Sequence, residues 1–227
     1  SPAPEILRVR TYHYKGEVVN TPSFELELKE ELPLDVTDSE EEISIKSGEL
    51  TLVITKKNWS MTYYRNGEMI TRSAGRDLAL MKTDFKGFAY NDTDAEETYM
   101  RQMLSLSVGE LVYGTGERFT PFVKNGQSID IWNADGGTST EQSYKNIPFF
   151  ITNKGYGVLV NHPEKVSIEV ATEMVTRTEF SVPGGYLDYF LINGPTMKEV
   201  LTRYTDLTGK PSLPAPWTFG LWLSTSF

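Results

Sequence analysis

Trp132, Asn133 and Asp135 fall together in the run Trp132-Asn133-Ala134-Asp135-Gly136-Gly137. An indole face stacks on the apolar C–H face of a sugar ring, while an amide and a carboxylate bond its hydroxyls. The run opens a long polar stretch that lasts until the apolar residues at Phe149-Phe150. Loops of that length inside a β domain usually carry function. Residues 109–150 are therefore the part of the chain where a ligand site is expected.

Other candidate chemistry is weaker. Gly114-Thr115-Gly116-Glu117-Arg118 superficially matches a phosphate loop, but it has no third glycine, and no helix pattern or βαβ unit follows. It reads as a tight turn at a strand end, with Glu117 and Arg118 available for structural pairing. His13 and His162 are the only histidines; so far apart, they form no metal motif and no triad. Residues 91–97, NDTDAEE, alternate oxygen donors but lack the glycine and later glutamate of a helix–loop–helix calcium site. No cofactor and no metal are expected. Asp130 and Asp135 are close in sequence, but glycoside hydrolysis needs two carboxyls converging across the bond, and Asp130 lies within a strand. Asp135 is read as a binding carboxylate.

The elements around these residues are mostly strands. Phe24, Leu26 and Leu28 alternate with glutamates, and Leu50, Leu52 and Ile54 alternate likewise. Asn66-Gly67 between MTYYR and EMITR signals a two-residue hairpin, and Asn153-Lys154-Gly155 signals a second. Further strands are predicted at 99–107, 128–132, 166–171, 177–182 and 186–192. One helix is predicted, opened by Pro195 and Thr196 with Glu199 completing a capping box, and stopped by Gly209 and Pro211. Its apolar stripe, Met197, Val200, Leu201, Tyr204 and Leu207, is read as a face packed on a sheet. The pattern gives an all-β antiparallel sandwich with one C-terminal helix. The Pro-rich stretch 210–216 marks a domain boundary, and the apolar run from Trp217 to Phe227 reads as a strand beginning a second domain.

Composition narrows the function classes. The 227 residues carry a net charge of −9, which argues against nucleic acid as a partner. The acidic run from Glu30 through Asp35 to Glu42 is read as a solvated loop. With no cysteine, disulfides and thiolate metal sites are excluded, and a cytoplasmic protein is the natural reading. No apolar run is long enough for a membrane span.

The segments GTGERFTPFVKNGQSIDIWNADGGTSTEQSYKNIPFF, NKGYGVLVNHPEKVSIEV and LPAPWTFGLWLSTSF closely resemble bacterial α-xylosidases of glycoside hydrolase family 31. The resemblance is specific over residues 108–227 and collinear before that. It implies a mutarotase-like sandwich over residues 1–210, with 211–227 as the linker and first strand of a catalytic (β/α)8 barrel. It implies a retaining enzyme that removes terminal α-linked xylose, with nucleophile and acid on barrel strands beyond residue 227, so that this fragment alone is inactive. The implied partners are an α-xyloside or related oligosaccharide, the barrel itself and further copies in a homo-oligomer. α-Glucosidase activity is the neighbouring specificity. By the same resemblance Asp135 contacts the sugar beyond the cleaved bond and Phe227 lines the terminal-sugar pocket, with Trp132 and Asn133 bracing the loop.

Two other classes compete. A stand-alone carbohydrate-binding module would bind sugar without a barrel. An epimerase would need an acid and a base, such as a histidine near a glutamate in a cleft.

Overall fold

The computed structural model describes residues 1–14, 24–28, 32–83, 97–132 and 143–223. Among these described residues fifteen strands run as β1 Ile6–Tyr12, β2 Asp35–Asp38, β3 Glu42–Ser47, β4 Leu50–Thr55, β5 Ser60–Arg65, β6 Glu68–Ala74, β7 Leu78–Thr83, β8 Glu97–Ser105, β9 Val112–Arg118, β10 Gln127–Ile131, β11 Ser143–Thr152, β12 Tyr156–Val160, β13 Val166–Val170, β14 Arg177–Pro183 and β15 Tyr186–Asn193. The helix α1 follows at Met197–Thr208. The strands form three five-stranded sheets, ordered β1-β15-β12-β11-β9, β10-β13-β14-β8-β7 and β2-β3-β4-β5-β6. Every pairing is antiparallel.

The centre of the first sheet is buried on both faces, which explains why β12 and β15 read as nearly unbroken apolar runs. Leu187, Tyr189 and Leu191 point into the main core with Tyr63, Phe150 and Phe180. Their neighbours Phe190 and Ile192 point the other way, onto Val200 and Leu207 of α1. The other two sheets together face the main core. They are joined where Thr71 Oγ1 donates to the Ser105 carbonyl at 2.9 Å and Arg72 N–H donates to Ser105 Oγ at 3.0 Å. The layers also meet through the buried hydroxyls of Tyr63 and Tyr189, 3.0 Å apart, and burial pushes the Tyr63 phenol up to about 12.

Local signals hold where they rest on nearest neighbours. Asn66 (φ 49°) and Gly67 (φ 83°) make the β5–β6 turn, and β11 and β12 flank residues 153–155. Thr196 caps α1 with the reciprocal Glu199 contact, and Gly209 ends it at φ 92°.

Three expectations differ. Phe24–Leu28 is not a strand: Glu27 N–H bonds the Leu207 carbonyl at 2.8 Å and Leu26 packs beside α1, so the alternation serves a helix end rather than a ladder. Part of the acidic run is a strand, β2, wholly exposed at a sheet edge; its charges discourage edge-to-edge pairing. Pro216–Phe219 forms a short 3-10 turn, and residues 220–223 pair with no strand among the described residues.

Candidate functional site

β9, β10 and β11 converge on the base of the stretch 133–142. The Gly114–Arg118 segment is not a terminal turn, because β9 continues through it. Gly114, Thr115 and Gly116 have φ of 109°, 68° and 93°. The register slips between Asn146 and Phe150 on β11, so three residues there face Thr115 alone. This is a bulge. A Cβ on Gly116 would lie 2.1 Å from the Lys145 carbonyl oxygen, and one on Gly114 would lie 2.7 Å from that of Phe149. The glycines thus permit backbone contact with β11 rather than cradle a phosphate.

The bulge aims Arg118 across the three strands. Its Nη2 donates to the Asp130 carbonyl at 2.6 Å and to Asn146 Oδ1, and its Nε donates to the Thr115 carbonyl at 3.2 Å. Nearby Lys124 is almost fully buried and donates to the Pro121 carbonyl at 2.8 Å. Burial and then the Arg118 charge lower its pKa. Both cations brace the corner.

β10 alternates as its sequence predicts. Ile129 and Ile131 enter the core, while Asp130 faces out and pairs with Lys165 Nζ at 2.7 Å. Trp132 follows directly and is 55% exposed. Because Ile131 registers with Val166 on β13, Trp132 comes to lie beside residues 162–164. They border a cleft of about 270 Å³ together with Phe24 and Pro148.

The His162 side chain is 6% exposed, and its Nε2 has no hydrogen-bond partner. Burial lowers its pKa against the opposing charge of Glu164, so the ring is neutral near pH 7. Nε2 lies 3.6 Å from Glu164 Oε2. This histidine–glutamate pair in a cleft is the arrangement named above for an epimerase. The two groups sit against each other, however, leaving no room for a sugar carbon between acid and base. His13 is exposed just past β1, against Tyr14.

Asn133, Asp135 and Phe227 lie outside the described residues, as do 91–96 of the calcium-like run. Of the site residues expected from sequence, the structure places Trp132. Among the described residues no group of three or more His, Cys, Asp or Glu could hold a metal ion. Sequence reasoning missed His162 and Glu164 as neighbours of Trp132. The signal was the β10–β13 pairing, which no short motif announces.

The sequence profile of the glycosyl hydrolase 31 N-terminal galactose mutarotase-like domain matches residues 1–169. The chain belongs to family 31. Over its whole length it is 43% identical to alpha-xylosidase XylQ of Lactiplantibacillus pentosus, covering 28% of that protein. It is also 43% identical to an alpha-xylosidase of Emericella nidulans, again over the whole chain and 30% of the relative. The chain therefore spans less than a third of the length of either. A family 31 dextranase of Flavobacterium johnsoniae superposes with a TM-score of 0.79 at 22% identity, over 96% of this chain and 26% of the dextranase. That likeness establishes the shared mutarotase-like sandwich.

Proposed function

We propose that the chain is the non-catalytic N-terminal part of a retaining, α-xylosidase-like family 31 glycosidase that hydrolyses terminal α-linked xylose. The observation that carries this is the 43% identity to two alpha-xylosidases over the entire chain. Residues 1–210 form the sandwich in this reading, and 211–227 lead into a catalytic barrel that holds the nucleophile and acid. Phe119, Phe122 and Tyr144 are exposed near the β9–β11 corner, and Trp217, Phe219, Leu221, Trp222 and Leu223 are exposed beyond α1. Apolar surface on that scale marks an interaction face, which supports a barrel packed against it.

Asp135 then bonds hydroxyls of the leaving group, Trp132 and Asn133 brace its loop, and Phe227 lines the terminal-sugar pocket. The Arg118 network supports this by fixing where the loop departs from β10 and returns to β11. The same reading includes assembly into homo-oligomers and a cytoplasmic location. No helix among the described residues is long and apolar enough to cross a membrane.

The test is Asp135→Ala in the full-length enzyme. A charged hydrogen bond is worth roughly 1.5–3 kcal/mol, so kcat/KM on an α-xylosyl disaccharide should fall ~10–100-fold. An unchanged kcat/KM on that substrate sinks the assignment.

A further inference from the structure

We propose that the cleft between Trp132, His162 and Glu164 is a binding subsite for a single neutral pyranose, held by stacking on the Trp132 indole and by hydroxyl contacts to Glu164. It consists of described residues, so it does not depend on the reading of Asp135.

Three observations point to that ligand. Trp132 is 55% exposed and lines the cleft, and an accessible indole suits the C–H face of a sugar ring. The volume, about 270 Å³, lies just under the roughly 300–1,000 Å³ of small-molecule sites, which fits one ring rather than an oligosaccharide. The Glu164 side chain is 52% exposed, so a carboxylate stands ready to accept hydroxyl hydrogen bonds and would repel an anionic ligand.

The remaining walls agree. Phe24, Ile131, Pro148 and Pro163 supply apolar surface, and the neighbouring cation at Lys165 is engaged by Asp130. Nothing in the cleft recommends phosphate or sulfate.

The pyranose could be a free monosaccharide or one unit of a longer glycan, and the probes separate these. The 227-residue chain is titrated with methyl β-D-glucopyranoside, with cellotriose and with glucuronate, while NMR follows the indole N–H resonances. The neutral single ring should cause a saturable shift at Trp132 with a millimolar Kd. Tighter binding of cellotriose assigns the subsite to a glycan chain, and equal binding assigns it to a free sugar. Glucuronate should not bind.

Trp132→Ala should weaken binding of the neutral ring about tenfold. Trp132→Phe keeps a stacking face and should stay within a few-fold of the parent, which guards against a misfolded alanine variant. Glu164→Gln should weaken binding by roughly fivefold and admit glucuronate. The proposal is overturned if no neutral sugar gives a saturable shift at Trp132. It is equally overturned if binding persists unchanged in Trp132→Ala, or if glucuronate binds the parent as well as the glucoside does.

Discussion

β12 and β9 belong to the same sheet, yet one is regular and the other deformed. All five residues of β12 are buried, and it pairs without a register break with both β11 and β15. β9 lies at the sheet edge and faces the bulge of β11, with three consecutive residues of its own at positive φ. Thr115, in the middle, is buried, and its Oγ1 donates to the Gly114 carbonyl at 2.6 Å. A non-glycine residue in that region costs about 1–3 kcal/mol. The Arg118 bonds to two neighbouring strands offset it. The contrast teaches that the β12–β15 interior is organised by burial alone, whereas the outermost ladder, β9 with β11, can deform and place side chains at the base of the loop.

The comparison can be broken at its centre first. Phe150 is fully buried beneath both layers, and Phe150→Ala should cost ~3–5 kcal/mol in urea unfolding. A loss under about 1 kcal/mol would mean that burial does not govern the centre. Gly116→Ala attacks the edge instead. The added Cβ meets the Lys145 carbonyl and the backbone is held at φ 93°, so a loss of about 3 kcal/mol is expected. Hydrogen exchange should quicken in β9 and β11 while the β12–β15 ladder stays protected. Uniform loss of protection would show that edge and centre are one cooperative unit.

The smallest effect probes charge on a regular strand. On β14, burial pushes Glu179 up to about 7, opposed by Arg101 and reinforced by Glu169 and Glu173. The folded state thus favours the protonated acid. Its stabilising contribution is full below the ordinary value of 4.5, falls as pH rises, and is lost by about 7. Glu179→Gln should flatten stability against pH across that window by roughly 1 kcal/mol, a figure reduced for solvent screening. An unaltered slope would show that Glu179 does not titrate there.

Much of the fold was legible because its signals are local. Asn66-Gly67 turns with torsions those two residues tolerate, and Thr196 and Glu199 cap α1 through atoms three residues apart. The sugar-like chemistry of Trp132 and its neighbours was legible as residue type. The Gly114–Arg118 segment was misread because its conformation is set by the β11 backbone, nearly thirty residues later in the chain. Phe24–Leu28 was misread for the same kind of reason, since its alternation answers the end of α1. His162 and Glu164 could not be joined to Trp132 without knowing that β10 pairs with β13.

The sequence alone determined the class of the domain, its hairpins and its helix, because period, turn chemistry and capping act over a few residues. It also marked Asp135 and Phe227 as residues of interest through family resemblance. Tertiary structure alone decided that the glycine-rich run is an edge strand facing a bulge in β11, that Arg118 spans three strands, and that Trp132 shares a cleft with His162 and Glu164. Those outcomes depend on which strands pair and in what register, a choice made by burial across the whole sandwich.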